Sequence, residues 1–81
     1  MEKWEFLVLL VNKWGMATRV EPRGGSEAWQ FDDDKALDLV LMLRELGPEG
    51  WELTGIDTNV SYAQGPHSYV GSIYILQRPI E

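Results

Sequence analysis

The sequence predicts an α+β domain, a mainly antiparallel sheet of three to five strands with one helix packed on one face. Three observations predict it. Apolar residues alternate along strands near both ends of the chain, one amphipathic helix has clear start and stop signals, and Gly- and Pro-containing turns separate these elements. At 81 residues the chain is predicted to be one domain, residues 1–81.

The first strand is predicted over residues 3–11, KWEFLVLLV. The side expected to face inward, towards the helix, carries Trp4, Phe6, Val8 and Leu10. The opposite side carries Glu5, Leu7, Leu9 and Val11. A sheet face in contact with water would show polar residues there, so we expect both faces of this strand to be covered beyond Glu5.

Residues 12–31 are predicted to form a hairpin or a loop insertion. The hairpin would join 16–20 to 27–31 through a turn near Gly24 and Gly25, because glycine supplies turn dihedrals. A plain mobile loop is the alternative, since both flanking segments are short and mixed in pattern. Trp14 and Trp29 flank the segment and are expected to be surface anchors or ligand contacts.

Residues 35–46 are predicted to form the helix. Asp32, Asp33 and Asp34 precede it, where a cap is needed and the helix dipole favours anions. Gly47 can adopt the left-handed conformation after the last turn, and Pro48 cannot continue the helix.

The predicted helix is apolar over more than one stripe. The stripe expected to face the sheet consists of Ala36, Leu39, Val40, Leu43 and Leu46. Leu37, Leu41 and Met42 lie on its flanks. This width predicts that flanking loops or another chain cover the sides of the helix.

Two further strands are predicted in the second half of the chain, over residues 51–57 and 69–77, joined by a connection over 59–68. Gly55 is expected to mark a bulge or a close backbone approach. The last strand is apolar on both faces and is expected to end at Pro79, which lacks a backbone donor.

Charge and targeting signals limit the classes of partner. Thirteen acidic residues against seven basic give a net charge of −6, which repels nucleic acid and anionic membranes. The apolar run 6–11 is too short for a signal peptide or a membrane span. With no cysteine, the chain is predicted to be a soluble, cytoplasmic protein that binds neither nucleic acid nor membranes.

For each familiar catalytic or metal-binding motif, the sequence lacks some of the required residues. His67 is the one histidine, and a triad with Ser68 or Ser26 and Asp57 would lack the G-x-S-x-G elbow. The run 32–34 lacks the spacing of a calcium loop, and helix capping explains it. We therefore expect no catalytic residues, no metal site and no cofactor, and a protein that is not an enzyme.

Three segments carry a resemblance to a known family. They are Trp4-Glu5-Phe6, the run LRELGPEGWEL over residues 43–53, and YILQRP over residues 74–79. Together they resemble a small bacterial family of unknown function, domain of unknown function 4177, with its W-E-Y, L-N-x-L-G-x-x-G-W-E-L and K-R-P motifs. The chain departs from that pattern at Phe6, Arg44, Gln77 and the long segment 12–31. The resemblance implies a compact β-α-β-β domain and supplies no activity or site residues.

Excess apolar surface predicts the function. We expect a non-enzymatic, self-associating module, a homodimer, because exposed apolar patches usually mark association. The predicted interface residues are Leu7, Leu9, Val11, Leu37, Leu41, Val70, Tyr74 and Leu76. The alternative is a small-ligand or peptide-binding domain that uses residues 12–31, with Trp14 and Trp29, as a lid over the sheet.

Overall fold

A computed structural model of the chain describes residues 3–21 and 28–80. They form one six-stranded sheet in the order β3-β5-β6-β1-β2-β4, with one α-helix. The strands are β1 Lys3–Val11, β2 Met16–Val20, β3 Trp29–Gln30, β4 Leu37–Asp38, β5 Glu52–Gln64 and β6 His67–Ile80, and the helix α1 is Leu39–Leu46. Short 3₁₀ turns lie at Asp33–Lys35 and Gly47–Glu49.

The α+β class is confirmed, but the predicted sheet is wrong in two respects. It has six strands rather than three to five, and it is mixed, because β3 pairs with β5 in parallel while the other pairs are antiparallel. β4 has no counterpart among the predicted strands, whereas β3 lies within the predicted arm 27–31; each has two residues. Strands this short leave no alternating pattern in a sequence, since alternation becomes visible only over four or more residues.

β1 lies inside the sheet between β6 and β2, and both of its faces are covered from Val8 onward, as its sequence predicts. On one face Leu9 and Val11 pack in a cluster with Met42 and Leu46 of α1. On the other face Leu10 packs in a second cluster that includes Phe31 and Tyr62.

The helix covers the face opposite to the one predicted. α1 packs on the side of Leu9, whereas Trp4 and Phe6, which were expected beneath it, lie on the other face and are exposed, Phe6 by 59%. The sequence could not distinguish the faces, because apolar residues occupy both sides of β1 and alternation shows only which residues share a side.

The segment from β3 to β4 spans the second face. β3 extends the β5 edge at Tyr62 and Ala63, and Phe31 then packs over Leu10. The chain next reaches β4, which pairs with β2 at the opposite edge. Residues 31–36 alone connect the two edges, which would lie about 24 Å apart in a flat sheet. Because the 3₁₀ turn Asp33–Lys35 shortens this segment below that distance, the sheet must curl.

The hairpin predicted over 12–31 is wrong for the described residues. β2 pairs with β1 and β4, while β3 pairs with β5, so the two predicted arms are not partners. The predicted turn at Gly24 and Gly25 lies outside the described residues. The hairpin that forms instead joins β1 to β2 through residues 12–15.

The helix begins four residues later than predicted, at Leu39 instead of residue 35. Asp38 is its N-cap, and the side-chain Oδ1 accepts a hydrogen bond from Val40 N at 2.9 Å. Asp32 caps the separate 3₁₀ turn, accepting from Asp34 N at 3.1 Å. At the other end Gly47 is right-handed, with φ −53°, and the left-handed residue is Gly50, with φ 91°.

We predict that Asp38→Ala lowers the free energy of unfolding by about 1 kcal/mol, because the variant loses the side-chain acceptor at the helix start. Asp34→Ala is the control, since Asp34 is exposed and its side chain caps neither element; the change should stay within about 0.5 kcal/mol. Urea unfolding followed by circular dichroism measures both. Equal losses would show that Asp38 is not the effective cap.

β5 and β6 are longer than predicted. The connection predicted over 59–68 shortens to Gly65 and Pro66, and the strands pair from Gln64 and His67 outward. The expected bulge at Gly55 is confirmed by a register shift between Leu53 and Gly55. A second shift lies between Thr58 and Val60, where Asn59 has φ 61°.

Pro79 does not end β6, which continues to Ile80. β5 starts opposite Gln77, so beyond that point β6 pairs with β1 alone among the described residues. A proline is tolerated in a strand that has a neighbour on one side only.

Candidate interaction surface

α1 covers only part of its face of the sheet. Met42 and Glu45 line a cavity of about 270 Å³ together with Arg19 of β2, so this flank of the helix faces β2. Leu43, one position beyond Met42, is turned about 100° around the helix axis and packs against the cluster that contains Leu9 and Leu76. β5 and the start of β6 extend beyond the area that α1 covers, and their helix-side residues Leu53, Ile56 and Val70 are about half exposed.

We call these uncovered residues the open face. The register places the following β5–β6 pairs on the helix side: Leu53 with Leu76, Ile56 with Tyr74, Thr58 with Ser72, and Ser61 with Val70. Leu76 is buried beneath α1. The open face therefore consists of Leu53, Ile56, Thr58, Ser61, Val70 and Ser72, and it is bordered by Tyr74, which is half-buried against the cluster beneath α1. Its three large aliphatic residues are about half exposed, Val70 by 55%.

The open face carries no charged side chain, although a quarter of the chain is Asp, Glu, Lys or Arg. The charged residues of β5, Glu52 and Asp57, pair with Gln77 and Ile73 and thus point to the other side of the sheet. A surface that combines exposed aliphatic residues with an absence of charge has the composition of an interface core.

The open face ends at a free strand edge. β3 pairs only with Tyr62 and Ala63, so in the described part of the chain residues 52–61 have no partner strand on their outer side. The two bulges at this edge, near Gly55 and Asn59, interrupt the regular row of backbone donors and acceptors. Natural proteins use such bulges to prevent edge-to-edge pairing, so the geometry favours contact through the face over addition of another strand.

The predicted interface is only partly at the surface. Leu9, Val11 and Leu76 are buried beneath α1, so their assignment to an uncovered face is corrected. Leu7 and Leu37 are half-buried against the same cluster. Leu41 is half exposed but is turned away from the sheet. Val70 belongs to the open face, and Tyr74, half-buried against the same cluster, borders it.

Leu53 and Ile56 are the interface candidates that the sequence did not reveal. Strict alternation puts residues three apart on opposite faces of a strand. The bulge between Leu53 and Gly55 inserts one extra residue, so Leu53 and Ile56 share the helix side. Gly55 is expected from the sequence to mark a bulge, and a bulge at this position would predict that Leu53 and Ile56 lie on the same face.

The two candidate anchors lie in different environments. Trp14 is 57% exposed, on the turn between β1 and β2. Trp29 is half-buried in β3 and packs against the cluster that contains Leu10. Only Trp14 therefore presents most of its ring to solvent.

Arg78 connects the last strand, β6, to β1 and to the turn after the helix through three contacts. Its guanidinium lies over the ring of Trp51, 4.4 Å from the centroid, forms an ion pair with Glu5, and donates to the carbonyl oxygen of Glu49 at 3.1 Å. Trp51 itself is half-buried against the cluster beneath α1. These contacts link β1, β6 and residues 49–51 and give this end of the molecule a structural role.

The acidic run 32–34 lines a groove of about 670 Å³ together with Arg19 and Lys35. Within the described residues, no three His, Cys, Asp or Glu side chains are arranged to hold a metal ion. No helix in the described part of the chain is long and apolar enough to cross a membrane.

These features define a class, a small α+β domain whose curled mixed sheet keeps one uncharged apolar face uncovered. Comparison of the chain with protein-family models, with curated proteins and with solved structures finds no match. A functional proposal must therefore come from the surface itself.

Proposed function

We propose that this protein is a non-enzymatic module that self-associates as a homodimer through the open face. The observation that carries the proposal is the juxtaposition of exposed aliphatic residues, Leu53, Ile56 and Val70, on a surface without charge. Apolar surface of this kind is stabilised when a partner removes it from water.

The absence of charge on the open face makes this face suitable for contact with a second copy. Two chains of net charge −6 repel each other, which opposes association through the acidic parts of the surface. Contact through the open face avoids close like-charge pairs, because neither surface carries a charge. A two-fold axis would bring the same patch of both copies together, as in most homodimers.

The size of the open face sets the expected affinity. Residues 53–61 span about 30 Å along the strand, and β5, β6 and the adjoining helix flank are together about 15–20 Å wide. The resulting contact area, roughly 450–600 Å² per partner, is at the lower end of the range for specific interfaces. We therefore expect a reversible dimer with a dissociation constant in the micromolar range.

Val70→Lys is expected to shift the protein to monomer, because the substitution places a charge within the apolar contact of both copies. Phe6→Lys is the matched control, since Phe6 is equally exposed but lies on the other face of the sheet. Sedimentation equilibrium from about 10 to 300 μM should give a dimer for the wild type and Phe6→Lys, and at least a tenfold weaker dimer for Val70→Lys.

Circular dichroism must first show that both variants are folded. A wild-type chain that remains monomeric at the highest concentration would contradict the proposal. Dissociation by Phe6→Lys with an unaffected Val70→Lys variant would also contradict it, because the contact would then lie on the second face, around Trp4 and Phe6.

A further inference from the structure

The turn between β1 and β2 holds an exposed aromatic ring on a fixed backbone. The Asn12 side-chain Oδ1 accepts hydrogen bonds from the backbone N–H groups of Trp14 and Met16, both at 3.0 Å. The backbone N–H of Lys13 donates to the hydroxyl of the buried Tyr62 at 3.2 Å. These bonds restrain the turn, so Trp14 is held in place while most of its ring faces solvent.

Trp14 and Tyr69 together form what we call the aromatic corner. Their ring centroids are 5.3 Å apart and the planes are inclined by 75°. Tyr69 is backed by Tyr62 at 5.7 Å and by His67 at 6.1 Å, centroid to centroid. The corner is therefore built on the packed second face of the sheet rather than on an isolated side chain.

A cation already lies in the aromatic corner. The Nζ of Lys13 is 4.9 Å from the ring centroid of Trp14 and 4.9 Å from that of Tyr69. Both distances are within the range of cation–π attraction. The corner thus accommodates a cationic group in contact with two rings at once.

We propose that the aromatic corner is a binding site for a quaternary ammonium group, and that Lys13 occupies this site when no ligand is bound. A trimethylammonium group is the chemistry that aromatic cages recognise. It is more weakly hydrated than a lysine ammonium, so moving it against the rings costs less solvation. The net charge of −6 also attracts cations to the molecule.

The site is distinct from the open face. Tyr69 and Val70 are successive residues of β6 and therefore point to opposite sides of the sheet. Binding at the aromatic corner can thus be tested independently of self-association, and the Val70→Lys variant should bind the cation as the wild type does.

The test is a titration of ¹⁵N-labelled protein, followed by the NMR signal of the Trp14 indole N–H. The probes are choline and Nε-trimethyllysine, with 3,3-dimethyl-1-butanol as the uncharged isostere of choline. We expect the cations to shift this signal saturably in the millimolar range and the alcohol to leave it unchanged. Binding of choline alone would indicate a small metabolite, and binding of trimethyllysine a modified protein, as the source of the ammonium.

Lys13→Met should tighten binding about two- to fivefold, because it removes the competing ammonium and keeps an apolar side chain of similar length. Lys3→Met is the matched control, since it removes the same charge at a distance from the corner and should not tighten binding. Trp14→Leu should abolish binding; because this variant lacks the indole N–H, its titration is followed by the backbone amide signals of Lys13 and Tyr69.

Equal shifts from choline and its uncharged isostere, or from sodium chloride at the same ionic strength, would overturn the proposal. An unchanged or weaker affinity in Lys13→Met would overturn it as well. If Trp14→Leu does not fold, the comparison of choline with its uncharged isostere and the titration of Lys13→Met still decide whether the site binds the cation.

Discussion

Replacing Gly71 by alanine is expected to lower the free energy of unfolding by about 3 kcal/mol or more, as overpacking in a rigid site does. A Cβ at this position would overlap the backbone carbonyl oxygen of Val11 and lie 2.8 Å from Cε1 of Tyr62. Val11 belongs to the central strand, and the Tyr62 ring is only 1% exposed and packed among other aromatic side chains. Neither neighbour can move without disturbing the core.

Urea unfolding of Gly71→Ala against the wild type measures this loss. Gly47→Ala is the matched control, because Gly47 has φ −53° and no atom within 4 Å of the added methyl group. The control should be neutral or more stable by up to about 1 kcal/mol, since alanine restricts the unfolded chain. A Gly71→Ala variant within 1 kcal/mol of the wild type would show that β1 and β6 are not so closely packed at this point.

Gly71 also shows a requirement that its neighbours in the sequence do not reveal. The strand 69–77 was predictable from its alternating apolar residues, but the need for glycine within it arises from Val11, sixty residues earlier in the chain. Gly55 is different, because a glycine inside a strand pattern is itself a local signal of a bulge, and a bulge is found there.

The elements that local pattern encodes were predicted, while those that tertiary pairing creates were not. β1, the helix from Leu39 to Leu46 and β6 carry their own periodicity. β4 and the parallel pairing of β3 with β5 exist because a segment crossing the sheet adds two residues to each edge. Asp32 was expected to cap the helix, yet pairing of Leu37 with Ala17 delays the helix start to Leu39 and gives that role to Asp38.

The open face could be predicted only in part for the same reason. Val70 and Tyr74 are predicted as surplus apolar residues of the last strand; Val70 lies on this face, and Tyr74 borders it, half-buried against the cluster beneath α1. Leu9 was assigned to an uncovered face because a strand that is apolar on both sides does not reveal which side the helix takes. The open face is also defined by what α1 fails to cover, and that depends on the length and position of the helix.

Leu9→Ala is expected to lower the free energy of unfolding by about 3–5 kcal/mol. Leu9 is fully buried and packs with Met42, Leu46 and Leu76 in the cluster beneath α1. Truncation removes apolar contacts and leaves a cavity between the central strand and the helix. Leu41→Ala is the matched control, because Leu41 is half exposed on α1 and should lose about 1 kcal/mol or less.

The concentration dependence of this effect distinguishes a core residue from an interface residue. Unfolding of a dimer depends on protein concentration, because association stabilises the folded state by mass action. A core role for Leu9 predicts the same loss at 5 and at about 200 μM, with the dissociation constant of the dimer unchanged. A loss that appears only where the wild type is dimeric would place Leu9 at the subunit contact and would require α1 to lie on the other face of the sheet.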